Sequence, residues 1–326
     1  GGNGKGRSSF GSKFKRKTCR CARSTFSIAA MICEAASMFG NNLFSMWLIL
    51  TFLGLTSCLS MSGLAFAKLY WNPSYETWRF KSNPKFPKPE HVRTEVLLTI
   101  KCISLSTMLP ALSLYLAAQG KSQAFCGWGG RSIWWHLGCL GALLLGIDFF
   151  EWAYHYMGHQ VPAMWKQHKS HHKFYNPTPF SVIADEAVDQ LMRTAPMLLS
   201  VIMPLNMDVL FGLFAVMFYA YGVYLHSGYE LAWPDAHHPI INTSYQHYLH
   251  HAEGAVGKPR HTGFFIKLWD QLADGDSTAH MFQMGKCTCS KCSRERGERS
   301  VEAWKKVERV DYSCLLSPKF WLQAFA

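Results

Sequence analysis

Residues 35–66 contain no charged side chain, and the stretch 43–67 alone exceeds the roughly 20 apolar residues that span a bilayer. A chain carrying such a run must satisfy its backbone hydrogen bonds internally while in lipid, which leaves helices or closed barrels. The length of the run selects helices. A second uncharged stretch covers residues 102–120, where Pro110 is expected to introduce a kink. A third runs from 132 to about 150. A fourth, from 194 to about 224, is too long for one crossing and contains Pro204, Asn206 and Asp208, so it reads as a hairpin of two short helices. The 49% hydrophobic and 14% aromatic residues fall in these blocks rather than evenly along the chain. The expected fold is therefore all-α, an integral membrane protein with about four spans or hairpins.

The net charge of +12 is also unevenly placed: eight Lys or Arg fall within the first 23 residues, without an acid, and others flank the apolar blocks. Basic residues beside spans orient them and attract anionic headgroups, so no nucleic-acid partner is expected. The Arg- and Ser-rich start also permits a transit-peptide reading. Eleven cysteines are scattered, several inside apolar blocks (Cys58, Cys102, Cys139), where they act as small hydrophobes, and a secreted disulfide scaffold is not expected. Residues 71–91 hold four prolines and read as an extended polar loop.

Nine of the fifteen histidines follow the third apolar block in three tight groups plus one singleton. His155 and His159 lie four apart, on one face of a helix continuing out of the third span. His168, His171 and His172 form one H-x-x-H-H box, and His247, His250 and His251 form another. On a helix three such rings share a face and can serve one ion or straddle two. His226 stands alone at the end of the fourth block. Imidazole donors favour iron, zinc, copper or nickel over oxygen-loving cations. A histidine-rich metal transporter is disfavoured, because the boxes lie beyond the span ends rather than within them.

The chain resembles the fatty acid hydroxylase/sterol desaturase superfamily of membrane enzymes. The residues carrying the resemblance are Asp148 with His155-x-x-x-His159, His168-Lys-Ser-His171-His172, His226-Ser-Gly-Tyr229, His247-x-x-His250-His251 and Leu268-Trp269-Asp270. Asn176-Pro177-Thr178-Pro179-Phe180 and Asn242-Thr243-Ser244 look like the sterol C5-desaturase (lathosterol oxidase-like) branch. The resemblance implies a helical membrane anchor under a cytosolic cap and two iron ions held by the nine histidines, His226 included. It also implies an O2-dependent oxidoreductase drawing electrons from NAD(P)H through cytochrome b5 or a similar carrier, with a membrane lipid or sterol as substrate. Desaturation of a Δ7-sterol at C5(6) is the leading expectation, and C4-methylsterol or fatty-acyl hydroxylation is the alternative. The expected location is the endoplasmic reticulum membrane, with a plastid or other membrane as the alternative.

The chain departs from the pattern at Tyr156, where many relatives carry Arg, and at His261, where they carry Asn. Ala273-Asp274-Gly275-Asp276 replaces the usual Phe-Gly-Thr. These departures leave the substrate open. His261 is expected close to the metals, as an extra ligand or a donor to one. Asp148 is expected to accept N–H from a ligand histidine and fix its tautomer, whereas Glu151 fits that role or the aqueous boundary. Lys166, Lys169 and Lys173 could dock an acidic electron carrier or simply face headgroups. Cys287, Cys289 and Cys292, with Cys314 downstream, have donors for a small zinc site or are free thiols, and His237 and His238, in a Pro-flanked loop, are given no metal role.

The expected organisation is a basic segment at 1–41, transmembrane helices and loops at 42–147, and a histidine-box region at 148–280 with a membrane hairpin at 194–225. A charged, Cys-containing tail follows at 281–326. Three spans before His155 put the basic N-terminus opposite a cytosolic cap, unless residues 26–39 make another pass or are removed.

Overall fold

The computed structural model describes Ile32 and residues 42–255, 257–258, 260–274 and 286–325. The expected N-terminal segment, with the extra pass at 26–39, lies outside them apart from Ile32. Among the described residues the protein is helical, with isolated bridges but no strand. Four helices are long and apolar enough to cross a membrane: α1 (Leu43–Trp71), α2 (Pro89–Ala118), α3 (Ile133–Gln160) and α6 (Met207–His226). Phe52, Leu64, Trp134 and Val216 on these helices are all more than 60% exposed, as lipid-facing side chains would be.

Local chemistry sets the ends. Asn42 accepts from Phe44 N and Ser45 N at the start of α1, Ser132 from Trp135 N at α3, and Asn206 from Asp208 N and Val209 N at α6. Pro89 opens α2, which begins well before the uncharged run and carries Glu90, Arg93, Glu95 and Lys101 ahead of it. The Pro110 kink is present as a break at Thr107. Pro110 has no N–H for the Ser106 carbonyl, and Thr194 Oγ1 donates to that oxygen instead, at 3.0 Å.

The expected hairpin at 194–225 is corrected. Its rising arm is the single 20-residue helix α6, and Asp208 does not break it but lies in its first turn, accepting from Gly127 N. The descending arm is made of short pieces: α5 (Ala187–Arg193), a 3-10 turn Ala195–Leu198 and one turn Leu199–Ile202. The linker after α2 meets this arm, since Phe125 N donates to Leu205 O and Met207 N to Phe125 O. Starts of α3 and α6 thus share one end of the bundle. The C-terminal ends of α1, α3 and α6 meet at the other.

At that second end the segment between α1 and α2 is packed rather than loosely extended. Lys81 is fully buried among Tyr70, Phe86 and Tyr229, with Nζ 3.1 Å from Asn176 Oδ1. Residues 286–325 fold back over it and are not a free tail. Arg299 donates to the Lys81 and Ser82 carbonyls, Tyr312 donates to Pro87 O, and Trp304 packs on Trp78.

Candidate metal centre

The nine expected histidines converge. His155 and His159 end α3; His168 ends α4 (Pro162–His168), with His171 and His172 in the 3-10 turn that follows; His226 ends α6. His247, His250 and His251 lie on α7 (Ser244–Glu253), whose start is fixed by Gln246 accepting from Thr243 N at 2.9 Å. The second box is therefore not one helical face, and neither H-x-x-H-H box serves a single point. One group is His155, His159, His168, His172 and His250; the other is His171, His226, His247 and His251, with donor atoms in each within 4.8 Å of one another. Each box is split between the groups. All of these side chains are buried except the partly buried His172.

Backbone acceptors orient the rings. Nδ1 of His155, His159, His171, His226 and His250 donates to the carbonyls of Thr262, Ala255, Ala184, Gly222 and Arg260, at 2.7–3.1 Å. A carbonyl only accepts, so each of these rings carries its proton on Nδ1 and turns a lone pair at Nε2 inward. His171 and His226 then face each other Nε2 to Nε2 at 3.2 Å with no proton between them. His155 and His168 also stand Nε2 to Nε2, at 3.0 Å, with His168 Nδ1 engaged by Asp185. His159 Nε2 and His250 Nε2 are buried without a partner. Facing lone pairs in a dry site repel unless a cation sits among them, and two nitrogens bound side by side at ~2.0–2.1 Å from one ion lie about 3 Å apart. The donor set thus fits two imidazole-ligated metal ions. Burial, then the neighbouring imidazoles, holds His171, His247, His250 and His251 well below the usual imidazole range, leaving them neutral as ligation requires.

The carboxylate on a ligand histidine is not Asp148, which corrects the expectation. Asp148 accepts from Phe265 N at 2.6 Å and Trp269 Nε1 at 2.8 Å, because it lies nearly two turns before His155, facing the 262–270 segment. That segment is held again by Asp270, which accepts from Thr262 N, Gly263 N and Trp152 Nε1. Its Thr262 carbonyl reaches His155, so Asp148 acts on the histidines only through the backbone. Asp185, not anticipated from sequence, takes His168 Nδ1 at 3.3 Å, and Asp189 stands 3.7 Å from the same atom. Burial lowers the His168 pKa, but the hydrogen bonds to the two carboxylates outweigh it and raise the pKa overall. Arg193 bridges Asp189 and Glu151 at 3.1 and 2.6 Å, which gives Glu151 an ion pair in place of either expected role. The one trace of it in sequence is the D-E-x-x-D spacing at 185–189, thirteen residues after the second box, which by itself does not say which way the carboxylates face.

His261 is buried and joins neither histidine group. Its backbone has φ 54°, and its neighbours Arg260 and Thr262 supply the carbonyls that orient His250 and His155. The Asn176–Phe180 loop ties the centre to the spans: Tyr70 donates to Pro177 O, Ser62 to Pro179 O and Thr99 to Phe180 O. A side chain at Gly254 would meet the His172 ring at 2.6 Å, so the chain after the third box must pass bare.

A cavity of about 410 Å³ lies among α1, α2 and α6. Leu50, Leu53, Val182, Phe211, Phe214 and Phe218 line its apolar part, and His155, His168, His171, His226 and His247 line its inner end.

The Fatty acid hydroxylase family model matches residues 140–274. A Delta(7)-sterol 5(6)-desaturase of Gibberella zeae is 25% identical over 272 residues, covering 82% of this chain and 70% of that protein. A probable Delta(7)-sterol 5(6)-desaturase of Neurospora crassa is 26% identical over 277 residues, 82% of this chain and 74% of that protein. The lathosterol oxidase of Rattus norvegicus is 28% identical over 204 residues, 61% of this chain and 64% of that protein. No solved structure matches. The matched region holds every histidine of the centre, so the chain is similar to the fatty acid hydroxylase family over residues 140–274 and, over most of its length, to proteins named as sterol C5-desaturases, and its four apolar helices are those of a multi-pass membrane protein.

Proposed function

We propose that this protein is a sterol C5(6)-desaturase, a di-iron oxidoreductase that removes two hydrogens from a Δ7-sterol. The observation that carries the reading is the cavity. Its apolar walls open among the membrane helices and its inner end is made of histidines from both groups. About 410 Å³ falls within the roughly 300–1,000 Å³ of small-molecule pockets. The relatives named for Δ7-sterol desaturation and lathosterol oxidation support the substrate class.

Two irons bound by His155, His159, His168, His172, His250 and by His171, His226, His247, His251 would supply O2-dependent attack on an unactivated C–H bond. The protein's own contribution is positional. The apolar lining excludes water and holds the rigid ring system, and the Nδ1 hydrogen bonds keep six of the nine rings aimed without reorganisation. Gln190 and Thr194 line the cavity on the α5 side. Electrons would come from NAD(P)H through cytochrome b5 or a similar carrier, in the endoplasmic reticulum membrane.

Membranes containing the protein, supplied with a Δ7-sterol, NADH, carrier and isotopically labelled O2, should yield a product lacking hydrogens at C5 and C6 and carrying no label. Label in the sterol would identify a hydroxylase. Oxidation of an acyl chain alone would overturn the sterol reading and leave the metal centre standing.

A further inference from the structure

A second cluster of donors stands apart from the histidine centre. Residues 286–325 bring Cys287, Cys289 and Cys292 against His237, which lies on the loop between α6 and α7; the four donor atoms are within 4.8 Å of one another. Around the single atom His237 Nε2 the three sulfurs lie at 3.4, 3.5 and 3.6 Å. One imidazole nitrogen makes one good hydrogen bond, so three equidistant thiols are not explained by hydrogen bonding. A tetrahedral zinc explains them. With Zn–S of about 2.3 Å and Zn–N of about 2.0–2.1 Å, the N···S edge of the tetrahedron is about 3.6 Å. The cysteines are buried, at 1%, 0% and 9% exposure. Backbone N–H groups already point at two of the sulfurs, Cys289 N at Cys287 Sγ and Cys292 N at Cys289 Sγ, as they do around thiolate ligands.

We propose that His237, Cys287, Cys289 and Cys292 bind one structural zinc ion. Three thiolates with one imidazole make a soft donor set that suits zinc, and four protein donors leave no open position for catalysis. Cys314, the fourth donor that the cysteine spacing suggested, is outside the group, and His237 takes its place. The site joins two segments distant in sequence and lies behind α7. Tyr245 and Leu249, on the face of α7 away from its histidines, pack on the three cysteines, and Tyr245 Oη meets Thr288 Oγ1 at 3.1 Å. Lys291 and Asp235 make a second tie between the same segments, at 3.0 Å. The zinc therefore backs the helix that gives His247, His250 and His251 to the other centre.

The full-length protein purified in detergent should contain about one zinc per chain, with an X-ray absorption edge showing three sulfur neighbours and one nitrogen. Cys289→Ser and His237→Ala should lose that zinc while iron is still bound. The wild-type spectrum decides the matter even if these variants fold poorly. No zinc, cysteines recovered as disulfides, or zinc with nitrogen neighbours only would each overturn the proposal. The last result would place zinc in the histidine centre instead, and iron content and sterol turnover report on that centre separately.

Discussion

Asp185 is the residue whose removal best separates aiming a ligand from being one. Its carboxylate takes the outer nitrogen of His168, and Asp189 with Arg193 completes a buried ion chain behind it. Asp185→Asn keeps the shape but removes the charge that favours a donating Nδ1. Losing such a partner costs roughly 10–100-fold in metal affinity or activity, so iron per chain and turnover should both fall by about that factor. Unchanged iron at limiting supply would refute the role. His261 makes a different case. At φ 54° it sits in the left-handed region, which His and Asn enter more readily than most residues, and this accounts for the Asn that the family resemblance puts there. His261→Asn should keep most activity. His261→Val should destabilise the protein by about 1–2 kcal/mol and lower bound iron, because strain at 261 moves the carbonyls that hold His155 and His250. Equal melting temperatures and iron content in the two variants would rule this out.

At the scale of helices, the spans were legible because the absence of charge over some twenty residues has few structural solutions. The start of α2 was not, since Glu90, Arg93 and Glu95 interrupt the apolar pattern in its first turns while the helix continues. The histidine boxes were legible by spacing as groups that would converge. Their division between two groups was not, because it depends on the chain leaving helical geometry after His168. Asp185 and the carbonyls of Thr262 and Arg260 were hidden for another reason: a backbone oxygen has no residue signature, and a carboxylate thirteen residues from a box could face anywhere. The packing of α1 against α2 and α6 yields a test of the cavity. Gly54 lines it, and a β-carbon there would stand 2.9 Å from Tyr219 Oη and 3.2 Å from Ile103 Cγ2. Gly54→Leu should therefore narrow the cavity, raising KM for the sterol or abolishing its turnover while iron content stays at the wild-type level. Normal sterol kinetics in this variant would mean that substrate enters elsewhere.

Taken whole, the molecule has two unlike ends. One holds the starts of α3 and α6, joined through Phe125 and Leu205; the other holds the histidine groups, the Cys–His cluster, the folded-back C-terminal segment and the basic residues after α3. Lys166, Lys169 and Lys173 are exposed on and just after α4, and exposed Lys258 adjoins them on a loop tied to α3 by Gly257 N donating to His159 O at 2.7 Å. Beneath Lys166, the Trp165 ring packs on His159 and His172 at 5.1 and 5.3 Å between centroids. An acidic carrier docked on this face would stand one layer of side chains from the five-histidine group. Surface charges at such a face mainly set the association rate and are screened within a Debye length of about 8 Å at physiological salt. Replacing Lys166, Lys169 and Lys173 together by Glu should therefore slow turnover driven by a cytochrome b5-type donor by about tenfold or more at low salt, with the difference shrinking as salt is added. Turnover driven by a small uncharged reductant should not change, because the centre itself keeps its ligands. If carrier-driven and reductant-driven rates fall together, the lysines serve folding or membrane contact. If neither falls, the carrier docks on another face.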